Sequence, residues 1–135
     1  MTDPLQLLRD SHTIAMVGAS PNPSKPSHGV MRYLLDAGYR VIPVRVDGCA
    51  DVLGVPCVSS LHEIDEPIDM VDVFRRPEFC PPHAREAVEV GARSLWLQLG
   101  IRSDESRRIA AAGGLAYVED ACTAALHARC LAREA

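Results

Sequence analysis

Lysine is almost absent from this chain: of its fourteen basic residues only Lys25 is a lysine, and the rest are arginine. A catalytic tyrosine–lysine pair is therefore missing. Positive charge is short overall. A net charge of −4 and a pI near 5.7 argue against general binding to nucleic acid or to a membrane surface, so basic residues count only where they cluster. No apolar run approaches the roughly 18 to 20 residues of a membrane span, and the opening MTDPLQLLRD lacks a signal-peptide pattern, so the expected location is the cytoplasm. The five cysteines (Cys49, Cys57, Cys80, Cys122, Cys130) are odd in number, widely spaced and without C-x-x-C, so neither a disulfide framework nor a zinc site is expected. The glycine fingerprint G-x-G-x-x-G is also missing. What is there is ordinary for a globular protein: 47% hydrophobic and 24% charged residues in a 135-residue chain, which reads as one domain over 1–135.

Apolar segments alternate with amphipathic ones. Strands are expected at 13–17, 40–44, 56–58, 70–74, 95–99 and 116–118, and helices at 3–10, 27–37, 61–64, 81–90, 104–112 and 121–132. Asp3-Pro4 suits a helix start, Ser103 and Asp120 are expected N-caps, and Gly38 and Gly91 are expected stops. Pro43 inside a strand implies a missing ladder bond. The pattern predicts an α/β fold: a single doubly wound parallel sheet, Rossmann-like, in three layers.

The most informative stretch is Thr13 to Leu35, a buried strand, a loop opened by Gly18 and an amphipathic helix. A glycine there lets the chain turn sharply and approach a ligand closely, and the first N–H groups of the helix attract anions. Gly18, Ala19 and Ser20 begin this loop, and Ser20, Lys25, Ser27 and His28 supply side-chain donors. Ligands of such sheets bind beyond the carboxyl ends of the strands. Those ends read Arg45 after the second strand, Arg75 and Arg76 after Phe74, and Gln98 and Gly100 after the fifth. An NAD site usually has an acid where this chain has Arg45. An arginine there favours a phosphorylated ribose, leaving NADP or coenzyme A.

With these residues in place, the chain resembles the small free-standing CoA-binding proteins that share the Rossmann-type CoA-binding domain of the succinyl-CoA synthetase α subunit. The likeness spans about 14–127 and rests on VGASPNPSKPSHGVMRYLLDAGYRVIPV at 17–44, VLGVPCVSSLHEI at 52–64, IDMVDVFRRPE at 68–78 and LWLQLGIRSDES at 95–106. The resemblance implies CoA with its diphosphate on the Gly18 to Ser20 loop, and its adenosine near Pro43, Val44, Arg45, Phe74 and Arg75. The chain departs from relatives that read Pro-Val-Asn-Pro at 43–46, and from those with Asp-Arg-Cys and Ile-Glu-His at 120–122 and 125–127.

Catalysis is not expected. His28 has no carboxylate placed near it in sequence, Cys122 and His127 lie off one shared helical face, and Asp69 and Asp72 point to opposite faces of a strand. No catalytic or metal-ligating set emerges. The expected function is non-catalytic binding of CoA or acyl-CoA, alone, as a homodimer, or beside a partner acyl-CoA enzyme. Two alternatives stay open: an NADP-dependent oxidoreductase-type domain, and a redox-linked protein in which Cys122 or Cys80 forms a mixed disulfide with the CoA thiol.

Overall fold

A computed structural model describes residues 2–132 of the chain. Asp3 accepts a hydrogen bond from the Leu5 N–H, and with Pro4 it starts α1 (Pro4–Asp10). The apolar run at Thr13–Val17 forms β1, buried at every residue. α2 (Pro26–Asp36) follows, and Gly38, at φ +100°, lets the chain turn back into β2 (Arg40–Val44). A small antiparallel hairpin of β3 (Asp51–Val52) and β4 (Val55–Pro56) intervenes, then a 3₁₀ turn at Leu61–Glu63. β5 (Met70–Val73), a 3₁₀ turn at Pro77–Phe79, α3 (Cys80–Glu89), β6 (Ser94–Leu97), α4 (Asp104–Ala112), β7 (Ala116–Val118) and α5 (Thr123–Cys130) complete the described chain.

Five strands form one parallel sheet in the order β2-β1-β5-β6-β7. Alternate strand residues face opposite layers. Ala15, Val17, Val71, Val73, Leu95 and Leu97 pack with α3 and α4, while Ile14, Met16, Met70 and Trp96 pack with α1, α2 and α5. The result is the doubly wound, three-layer α/β architecture that the alternation predicts. Pro43 sits on the edge strand β2, where no inner ladder bond is lost, and Val58 covers that edge by donating to the Pro43 carbonyl and accepting from the Arg45 N–H.

Three expectations are corrected. Cys49 and Cys57 are joined by a disulfide, with Cα atoms 5.7 Å apart, well inside the usual span. The hairpin brings them together: Leu53 and Gly54 both take positive φ in a two-residue turn, so the chain folds back on itself. Asp120 does not cap the last helix. It takes φ +57°, its carboxylate accepts from the Gly100 N–H at 2.7 Å and pairs with Arg102, and α5 starts only at Thr123. The strand expected at 56–58 is instead β4 plus a single bridge from Val44 to Val58.

Candidate functional site

The chain leaves β1 through α2 to β2 on one side and leaves β5 through α3 to β6 on the other, so the connections after these two paired strands diverge. That divergence is where sheets of this order bind ligands. A cleft of about 750 Å³ opens there, within the usual range for small-molecule sites. A smaller cleft of about 480 Å³ adjoins it, sharing Gly18, Arg45, Phe74, Arg75 and Arg76 and running on past Asp47 and Phe79.

The structure brings Gly18, Ser20, Lys25, Ser27, Arg45, Phe74, Arg75, Arg76, Gln98 and Gly100 together around the larger cleft. It does not bring Ala19, His28, Pro43 or Val44 to that wall. Ala19 is buried beneath the loop, and its carbonyl accepts from Arg45 at 2.8 Å. His28 lies one helical turn before the buried Met31 and is itself buried on that inward face. Pro43 and Val44 are inside the sheet edge. Wall residues that the strand-end reasoning does not single out include Val30, Leu99 and Ile101, and Cys122 also lines the cleft.

The glycine of the loop has a different neighbour from the one expected. Gly18 has φ +86°, its N–H donates to the Val44 carbonyl, and a Cβ there would lie 2.6 Å from the Phe74 carbonyl oxygen. Its lack of a side chain lets β1 and β5 close on each other at the floor of the cleft. At the mouth of α2, Pro26 has no N–H, and the His28 N–H bonds the Lys25 carbonyl. Ser27, which follows Pro26, is buried and lines the cleft.

The arginines are differently held. Arg45 donates to Ala19 and lies 3.5 Å from Asp47, while its buried Nε has no partner. Arg75 stacks over the Phe79 ring at 4.5 Å and bonds His83 Nε2 at 3.0 Å. Arginine has no acceptor, so His83 must offer a lone pair there, and its Nδ1–H faces Glu86 Oε1 at 3.1 Å. Burial lowers the His83 pKa and so favours that neutral form. Arg76 is exposed beside them. Of the candidate thiols, Cys80 contacts the Arg75 and Arg76 carbonyls and burial pushes it up to about 11, whereas Cys122 stands on the cleft wall.

The family model described as the CoA binding domain matches residues 12–128. The chain belongs to that CoA-binding family. The uncharacterized protein YneT of Bacillus subtilis (strain 168) is 42% identical over 125 residues, covering 91% of this chain and 90% of YneT. A hypothetical protein from Pyrococcus horikoshii OT3 superimposes with a TM-score of 0.92 at 34% identity, covering 97% of this chain and 93% of its own. A cell-free-expressed protein from Thermus thermophilus gives a TM-score of 0.88 at 36% identity, covering 95% and 98%. Membership of the CoA-binding family agrees with a small-molecule ligand at the cleft. Among the described residues no helix is long and apolar enough to cross a membrane, and no cluster of three or more His, Cys, Asp or Glu could hold a metal ion.

Proposed function

We propose that this CoA-binding domain holds coenzyme A or an acyl-CoA without transforming it, serving in the cytoplasm as a carrier, a sensor or a subunit for a partner acyl-CoA enzyme. The observation that carries the reading is the pair of adjoining clefts at the carboxyl ends of β1 and β5, where their connections part, with three arginines along the shared wall. CoA is a long molecule with phosphates at one end and, at the other, a thin arm in which two amides and a hydroxyl alternate with short apolar stretches. Arg45, Arg75, Arg76 and Lys25 suit the phosphates, and Val30, Leu99 and Ile101 suit the arm. The protein groups beside the cleft support binding over catalysis: His83 has both nitrogens engaged, and the Cys80 thiol is held protonated. An arginine after β2 favours the phosphorylated ribose of CoA over the free hydroxyls of NAD.

Titration calorimetry with CoA, dephospho-CoA and NAD tests this. A charge-assisted bond to phosphate is worth about 1.5 to 3 kcal/mol, so dephospho-CoA is expected to bind roughly ten- to a hundredfold more weakly than CoA, and NAD more weakly still. Equal affinity for CoA and dephospho-CoA would show that the ribose phosphate is not read. Preference for NAD would overturn the proposal.

A further inference from the structure

Under the larger cleft, on the side of the sheet that packs against α2 and α5, three buried polar side chains close on one another. Asp72 of β5 and Thr123 at the start of α5 are fully buried, and Gln98, just beyond β6, is 4% exposed. Asp72 and Trp96 are paired in the sheet, and Gln98 lies two residues on from Trp96, so all three share a face. Gln98 Nε2 donates to Asp72 Oδ1 at 2.7 Å and to Thr123 Oγ1 at 2.9 Å, and the Thr123 hydroxyl donates to Asp72 Oδ2 at 3.3 Å.

The directions of these bonds are not interchangeable. Above about pH 7 Asp72 is ionised and only accepts, so both of its oxygens then require donors. The Thr123 hydrogen goes to one and a Gln98 amide hydrogen to the other; the second Gln98 hydrogen goes to the Thr123 oxygen. Both N–H donors of the carboxamide are then engaged inside the protein, and its orientation is fixed. Its oxygen is left over. Among the described residues nothing donates to Gln98 Oε1, and Gln98 lines the larger cleft but not the smaller one.

We propose that Gln98 Oε1 is a fixed acceptor on the cleft wall for an amide N–H of the ligand, with Asp72 and Thr123 as its positioning residues. The inference rests on the CoA reading and deepens it. The arginines line both clefts and mark the phosphate-bearing end, so Gln98, confined to the larger cleft beside Leu99 and Ile101, faces the pantetheine arm. That arm carries two secondary amides, and an acceptor held in one place by two buried neighbours recognises one of them. An apolar acyl chain of the same length offers no such hydrogen.

The test compares CoA with adenosine 3′,5′-bisphosphate, which keeps the adenosine, its 3′-phosphate and the inner 5′-phosphate and lacks the outer phosphate and the arm. Calorimetry is run above the Asp72 pKa, at about pH 8, on the wild type, Gln98→Leu, Thr123→Val and Thr123→Ser. Gln98→Leu and Thr123→Val are expected to weaken CoA about three- to tenfold, the range of one neutral hydrogen bond, and to leave the bisphosphate unchanged. Thr123→Ser keeps the hydroxyl and is expected to restore CoA binding. If Gln98→Leu does not fold, the two Thr123 variants carry the comparison. Unchanged CoA affinity, or an equal loss for both ligands, would overturn the inference while leaving the CoA reading in place. A wild type that binds neither ligand would remove the CoA reading itself, and this inference with it.

Discussion

Arg75 shows how a surface charge is aimed from beneath. A free arginine has about 2 kcal/mol of rotamer entropy to lose on binding an anion. Here the loss is taken in advance, because Phe79 lies under the guanidinium and the His83 lone pair fixes one of its nitrogens. Glu86 in turn holds the His83 ring. Removing the histidine acceptor while keeping a ring of similar size separates aim from packing. His83→Phe is expected to weaken CoA about tenfold, one charge-assisted hydrogen bond's worth, with a melting temperature within a few degrees of wild type. Calorimetry and thermal denaturation of the variant check this. Unchanged affinity would mean that stacking on Phe79 alone aims Arg75.

At the scale of elements, what was legible in the sequence is what local chemistry decides. α1 and α4 begin where Asp3-Pro4 and Ser103 say they should, because a cap is a contact between near neighbours. The cleft residues at the strand ends were legible because parallel topology places strand ends together whatever their identity. His28 was misplaced by its loop-side position, since helical register against Met31 decides where it points. Asp120 looked like a cap, but its carboxylate is drawn to Gly100 and Arg102, about twenty residues away. Thr123 and Asp72 are 51 positions apart, so no spacing rule could join them. The disulfide was illegible for the same kind of reason: a separation of eight residues between Cys49 and Cys57 means nothing until the Leu53–Gly54 turn folds the hairpin. A loop this short is expected to contribute about 2 kcal/mol. Reductant should therefore lower the melting temperature of the oxidised wild type by roughly 5 °C or more and leave Cys49→Ser/Cys57→Ser unaffected. No response of the wild type would show that the pair adds nothing to stability.

For the whole molecule, buried charge sets how stability follows pH. Asp69 is partly buried, which raises its pKa, but the Thr13 and His12 N–H groups outweigh that and hold it below the usual carboxylate range. The Gly100 N–H and Arg102 do the same for Asp120. Their stabilisation is present above about pH 4 and is lost as pH falls through that region. Asp72 runs the other way. Burial pushes it up to about 7 against the opposing bonds from Gln98 and Thr123. Between about pH 4 and 7 the folded chain keeps a proton that the unfolded chain releases, so this residue makes the protein less stable as pH rises through the window. At about 1.4 kcal/mol per pKa unit the change is roughly 4 kcal/mol. His83, lowered by burial, pulls in the opposite sense just below its ordinary pKa, so the wild-type curve alone does not isolate Asp72. Asp72→Asn does, because its other effects on packing and hydrogen bonding are independent of pH. Denaturant unfolding at several pH values should show the stability of Asp72→Asn rising relative to wild type by roughly 4 kcal/mol between pH 4 and 7, then levelling off. A difference that stays flat across that range would mean that Asp72 titrates as an ordinary carboxylate, with water reaching it from the cleft.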